Sequence, residues 1–203
     1  MNNYKFAKRF FDIIITYFLL LLAYFPMLII ALLIYAIDGG PIIFKQIRIG
    51  KDGQPFVCYK FRTMHTSAPQ NLSTEEFKNA SKYITKTGAF LRRTSLDELP
   101  QLLNVLAGEM SIIGPRPLIP SEKQLHSARM KLGVYKTRPG ITGLAQICGR
   151  DRLSDARKLE CDIVYTKNMC LINDLKILNK TVSKIIKGDG VKGVTLLDTS
   201  ATR

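Results

Sequence analysis

From Ile13 to Ile37 no charged residue interrupts the chain, a run long enough to cross a bilayer as a helix. It is too long for a signal-peptide core and lacks a small-residue cleavage site. Pro26 sits at its middle, where a helix must kink or break. Positive charge flanks both ends: Lys5, Lys8 and Arg9 before, then Lys45, Arg48, Lys51, Lys60 and Arg62 after. A helix that crosses once ordinarily shows asymmetric flanks, because cytoplasmic segments carry the excess Lys and Arg. The pattern therefore fits two elements, one spanning helix or a helix-break-helix that bends at Pro26 and leaves by the face it entered.

Asp38-Gly39-Gly40-Pro41 ends this element, and shorter periods follow. Ile42-Ile43-Phe44 and Phe56-Val57-Cys58-Tyr59 are β-prone runs about a Gly50-Lys51-Asp52-Gly53 turn, so residues 42–61 read as a β-hairpin. Polar turn formers mark a loop over 65–75, and a helical or irregular stretch leads from Glu76 through Thr85 to Gly88. The spacing predicts helices from Pro100 to near Gly108, from Ser121 to Lys136, and over 155–169. In the last helix Leu171, Leu175, Leu178, Val182 and Ile185 share a face opposite Lys176, Lys180, Lys184 and Lys187. Such a basic amphipathic helix either lies on an anionic membrane surface or packs into the core. From Gly188 onward periodicity is lost. The domain reading is a membrane element over 1–40, a catalytic-sized unit over 41–187 and a tail over 188–203.

Charge narrows the partners. Thirty Lys and Arg oppose 16 Asp and Glu, a net +14, which calls for an anionic partner such as nucleic acid, a membrane surface or a phosphorylated substrate. Cys58, Cys148, Cys161 and Cys170 form no C-x-x-C pair or zinc spacing and suit a reducing compartment; His65 and His126 stand alone.

Within this frame Ser95-Leu96-Asp97-Glu98-Leu99-Pro100-Gln101 carries two adjacent carboxylates. Ser95 and Glu98 have capping-box spacing, whereas Pro100 fits as the opening residue of a helix one turn later. In either case Asp97 and Glu98 lie at a helix N-terminus, where negative charge is favoured. A carboxylate there can hold Mg²⁺, attack phosphorus, or simply cap the helix. Lys60-Phe61-Arg62 offers two cations for phosphate or for a solvated edge. Gly114-Pro115-Arg116-Pro117 presents Arg116 on a stiff backbone suited to bidentate phosphate binding, or is only a rigid turn. Arg138-Pro139-Gly140-Ile141-Thr142-Gly143 is a second cationic turn whose glycines let backbone N–H groups approach an anion.

Taken in order, Lys8-Arg9-x-x-Asp12, the Pro26-centred apolar run, Lys60-Phe61-Arg62-Thr63-Met64, Ser95 to Leu102, Gly114 to Pro117 and Arg138 to Gly143 resemble the bacterial sugar transferase family. These are the monotopic phosphoglycosyl transferases that start lipid-linked glycan assembly. The likeness covers residues 5 to 186 and matches the minimal catalytic form, without an additional N-terminal transmembrane domain. It implies a mixed α/β, mainly helical fold with a re-entrant membrane hairpin, a short β-hairpin and a cytoplasmic catalytic domain with interfacial amphipathic helices. It also implies transfer of a sugar 1-phosphate from a UDP-sugar to polyprenyl (undecaprenyl) phosphate at the bacterial inner membrane, without nucleic acid as partner. Asp97 would be nucleophile and Mg²⁺ ligand, and Glu98 would position it or handle protons. Lys60, Arg62, Arg92 and Arg116 would bind substrate phosphates, joined by Arg138, Gly140, Thr142, Gly143 and Gln146, with Pro26 as the hairpin break. Three features depart from the family pattern: Phe25 stands where a small hydroxyl residue often precedes the proline, Cys148 where asparagine is expected, and Trp is absent. The resemblance leaves the sugar, the glycan (capsule, O-antigen or exopolysaccharide) and homo-oligomerisation open. A different class, a basic membrane-anchored adaptor for acidic partners, would explain the charge but not the dyad.

Overall fold

A computed structural model describes residues 2–69, 80–149 and 153–187; the expected loop tip at 70–75 and the tail lie outside these. Helix α1 (Asn2–Leu33) occupies the apolar run and continues into a π-helical turn, Ile34–Asp38. It stays helical through Pro26, so the chain is not interrupted into two separate helices there, while a kink at the proline is compatible with a continuous helix. Proline removes one internal hydrogen bond, and a neighbouring apolar environment penalises any further loss of backbone pairing, which favours keeping the rest of the ladder. The irregular geometry appears a helix turn before Gly39 instead.

Both ends of α1 dock on the remainder of the chain. Near its start Tyr4 and Lys8 each reach Asp174 at 2.7 Å, Arg9 donates to the Val105 carbonyl at 2.7 Å, and Asp12 accepts from Ser111 Oγ at 2.7 Å. Near its end Ile30 and Ile34 pack with Phe61 and Leu91 in one buried cluster. Leu22, Tyr24, Phe25 and Ile29 are among the many large side chains it leaves exposed. So much contiguous apolar surface is unsuited to water.

The hairpin stands as expected: β1 (Ile43–Ile49) pairs antiparallel with β2 (Pro55–Phe61), Ile43 facing Phe61 and Ile49 facing Pro55. Alternation buries Phe56 and Cys58 on one face of β2, while Phe61, on the other, packs against the end of α1. Helix α2 (Lys86–Thr94) is capped by Thr85, whose hydroxyl accepts from Gly88 N at 2.9 Å. The sequence pattern missed this short helix. A Cβ at Gly88 would sit 2.0 Å from the Thr63 carbonyl oxygen, so only glycine lets α2 lie against the chain leaving β2.

Helix α3 (Gln101–Ala107) begins directly after Pro100. Two three-residue strands also escaped sequence reading: β3 (Ser111–Ile113) and β4 (Gly140–Thr142) pair in parallel. They bring the two proline-arginine turns together so closely that a Cβ at Gly140 would lie 2.0 Å from Gly114 N. The expected helix over 121–136 is shorter: α4 (Lys123–Lys131) ends before Gly133, which takes φ 73°, and a 3-10 turn follows. Helices α5 (Leu144–Cys148), α6 (Asp155–Lys167) and α7 (Leu171–Lys187) complete a mainly helical molecule. Helix α7 is divided between core and surface: Asp174 and Ile177 are buried, while Leu171, Ile172, Leu175, Val182, Ile185 and Ile186 stay exposed.

Candidate active site

The carboxylate pair occupies a single 3-10 turn, Leu96–Glu98, between α2 and α3. Ser95 opens only this short turn and not the longer helix its spacing allowed. It takes a left-handed conformation, φ 58°, and ends α2, its N–H turning back to the Leu91 and Arg92 carbonyls. That conformation costs a non-glycine residue about 1–2 kcal/mol and reverses the chain sharply enough to present both acids.

Their surroundings differ. Glu98 Oε1 accepts from Lys60 Nζ at 2.7 Å and lies 3.8 Å from Arg116 Nη1. Among the described residues nothing makes a hydrogen bond or an ion pair with Asp97, although Lys60, Arg92 and Arg116 all act on it through charge. Burial pushes the Asp97 carboxyl up from its ordinary range, Glu98 adds to that push, and the three cations oppose it. The helix-end position expected to favour ionisation is therefore countered by burial.

Lys60 meets Glu98 because Asn104 fastens α3 to β2. This fully buried side chain accepts from Tyr59 N at 3.1 Å and donates to the Val57 carbonyl at 2.7 Å, and also to Glu109 at 2.6 Å. Nothing in the sequence marked it, since it lies in a run otherwise read as an apolar helix. Arg116 is held through its backbone: the Pro115, Arg116 and Pro117 carbonyls accept from Gly140 N at 2.9 Å, Arg129 Nη1 at 2.8 Å and Arg48 Nη1 at 3.0 Å. Burial, with Arg116 close by, lowers the Arg48 guanidinium to about 10.

The structure thus gathers Lys60, Arg92 and Arg116 about Asp97 and Glu98. Other expected substrate residues are engaged elsewhere. The buried Arg62 guanidinium donates to the Asp38, Gly39 and Gly40 carbonyls, just after the long apolar helix. Arg138 is engaged at another point of the fold through its Nε. It donates to the Gly108 carbonyl at 2.7 Å, at the far end of α3. There it lines a separate cavity of about 320 Å³ with Lys5, Lys8, Arg9, Lys51 and Lys136. The Gly140 N–H expected to face an anion donates to Pro115, and Thr142 pairs its hydroxyl with that of Thr181 at 2.7 Å. Gly143 lies against the Gly114 carbonyl.

Gln146 is different. It is 3% exposed, and neither end of its amide has a protein partner among the described residues. Gln101, one helical turn after Asp97 and unremarked in the sequence, has an equally orphaned buried Nε2. Buried amides without partners are rare and suit a ligand that supplies them. In chemical terms the arrangement offers one uncommitted carboxylate beside three cations, a setting for nucleophilic attack at an anionic phosphorus.

The profile of the family described as bacterial sugar transferase matches residues 3–188. The chain is 41% identical over 187 residues to a Bacillus subtilis protein named uncharacterized sugar transferase EpsL, covering 91% of this chain and 90% of that one. It is 39% identical over 198 residues to the exopolysaccharide production protein ExoY of Rhizobium meliloti, covering 91% and 87%. The UDP-glucose:undecaprenyl-phosphate glucose-1-phosphate transferase of Klebsiella pneumoniae is 40% identical over 184 residues, covering 87% of this chain but 39% of its own length.

Proposed function

The chain belongs to the bacterial sugar transferase family, and from that premise we propose that it moves a sugar 1-phosphate from a UDP-sugar to undecaprenyl phosphate, releasing UMP. The Klebsiella relative's name supports the reaction class, and that of ExoY supports exopolysaccharide as the product line. The observation that carries the mechanism is the asymmetry of the dyad. Lys60 and Arg116 hold Glu98, while Asp97 keeps its oxygens uncommitted.

An Asp97 oxygen attacks the sugar-bearing phosphorus, the bond from that phosphorus to the bridging oxygen breaks, and UMP leaves with the electron pair. A phosphoglycosyl-aspartate remains. A phosphate oxygen of the lipid acceptor then attacks the same phosphorus, returns Asp97 as carboxylate and yields the lipid diphospho-sugar. Covalent catalysis here divides one difficult displacement into two. Donor phosphates compete with Glu98 for Lys60 and Arg116, so Glu98 holds those cations in place until substrate arrives.

Mg²⁺ binds through one or two carboxylates plus substrate phosphates, and Asp97, uncommitted and with burial opposing its charge, fits that role. When bound, the ion would neutralise the diphosphate. The acceptor's tail stays in the bilayer, so the site must lie at headgroup depth. Docking of both ends of α1 on one folded body supports re-entry from a single face, and the exposed apolar side of α7 supports an interfacial seat. We place that body in the cytoplasm at the inner membrane, in keeping with the basic flanks.

The test is nucleotide release from purified protein in detergent, with undecaprenyl phosphate, Mg²⁺ and a panel of UDP-sugars. UMP release with one donor is expected, and Asp97→Asn should abolish it while the protein stays folded and membrane-bound. Full activity in that variant would remove Asp97 as nucleophile. Release of UDP would mean ordinary glycosyl transfer.

A further inference from the structure

Arg129 and Asp162 form an ion pair that the chemistry above does not use. Arg129 lies on α4 and Asp162 on α6, and their side chains are each 2% exposed. One guanidinium nitrogen meets Asp162, and the other reaches out of the helix pair to the Arg116 carbonyl at 2.8 Å. We propose that the Arg129–Asp162 pair is a positioning device for Arg116, holding the cation that meets the donor's phosphates from a place that no substrate reaches. This rests on the reaction proposed above.

The argument starts from the turn. Pro115 and Pro117 have no N–H, so the segment is secured largely through its carbonyls. Three donors from three directions hold three consecutive carbonyls: Gly140 from β4, Arg129 from α4 and Arg48 from β1. The prolines fix their own φ but not the peptide planes on either side of Arg116. The plane that follows Arg116 is the one Arg129 holds. Its rotation would swing the Arg116 side chain relative to Glu98 and to any phosphate bound between them.

Asp162 has the complementary part. A lone guanidinium buried here would be strongly unfavourable, and the carboxylate compensates it and sets the plane of its fork. If the pair served only to join α4 to α6, two apolar residues of similar volume would do as well or better. Such a pair would lack the hydrogen bond to Arg116.

That difference supplies the test. Arg129→Leu with Asp162→Leu removes both charges together, so neither is left buried and unpaired. Arg129→Lys keeps the charge opposite Asp162 but gives up the planar fork, and serves if the double variant fails to fold. Three quantities are read: the dissociation constant of UDP with Mg²⁺, and kcat and KM for UMP release. The positioning role predicts a folded protein whose UDP affinity and kcat/KM fall about 10- to 100-fold, the range expected when a binding group is misplaced by an ångström. It also predicts that in an Arg116→Ala background the same changes have no further effect beyond about two-fold, the mark of coupled rather than independent sites. Wild-type values in a folded pair variant, or losses that simply add to those of Arg116→Ala, would overturn it. So would UDP binding by the wild type that ignores Arg116→Ala. A wild type that binds UDP but releases no UMP would sink the reaction and leave the binding comparison to decide the clamp.

Discussion

Asp97 and Glu98 are chain neighbours of the same chemistry whose roles are set by what reaches them. Lys60 and Arg116 satisfy Glu98; burial works against the charge of Asp97. The sign of that effect can be tested. An acid whose folded-state pKa is raised costs stability once the pH passes its unfolded value near 4, and the cost grows until the folded-state pKa is passed. Asp97→Asn should therefore melt higher than the parent at neutral pH without Mg²⁺, and the gain should shrink toward pH 4. A melting series in which the gain grew toward acid would show the opposite shift. Asn104 is the other decisive residue. Asn104→Leu strips partners from Tyr59 N and the Val57 carbonyl, at about 1–3 kcal/mol for each group left unsatisfied. Denaturant unfolding should show a loss of a few kcal/mol. The dyad and Lys60 were readable through the family motifs they resemble, since their spacing alone left a helix cap and a solvated edge open. The buried amides and Asn104 were not, since glutamine or asparagine in a helix looks solvent-facing until the fold encloses it.

At the level of elements, period was a good guide where an element has one environment. The hairpin follows its alternation and turn residues, and α6 starts one residue after its Ser154 cap. Reading fell short where elements were brief or shared between environments. Each strand of the β3–β4 pair has three residues and no detectable alternation, so its existence depends on the partner. Helix α7 carries too many apolar residues for one face, and the fold divides them between core and surface. The exposed set makes a prediction: Ile172→Glu with Ile186→Glu should weaken retention of the protein on membranes washed with high salt while leaving its melting temperature close to wild type. Unchanged retention would assign that face to something other than lipid. Gly88→Ala, which drives a Cβ into the Thr63 carbonyl, should by contrast lower the melting temperature.

For the whole molecule, re-entry of α1 from a single face makes a labelling prediction. With Cys148 and Cys170 replaced by serine, Asn2→Cys and Gly40→Cys should label from the same face in sealed vesicles, Gly40 having open space for the new side chain. Labelling from opposite faces would make α1 a spanning helix. The sequence by itself determined that a long uncharged helix exists, that the molecule is basic, and that two acids lie between basic residues and the start of a helix. Those follow from composition and local spacing, which act over a few residues. Only the tertiary structure decided that α1 continues through Pro26, that Arg62 and Arg138 turn away from the dyad, and that a buried pair on α4 and α6 reaches the Arg116 carbonyl. The physical reason is shared: each is a choice among backbone partners distant in the chain, and which carbonyl a buried guanidinium finds depends on packing that no local pattern encodes.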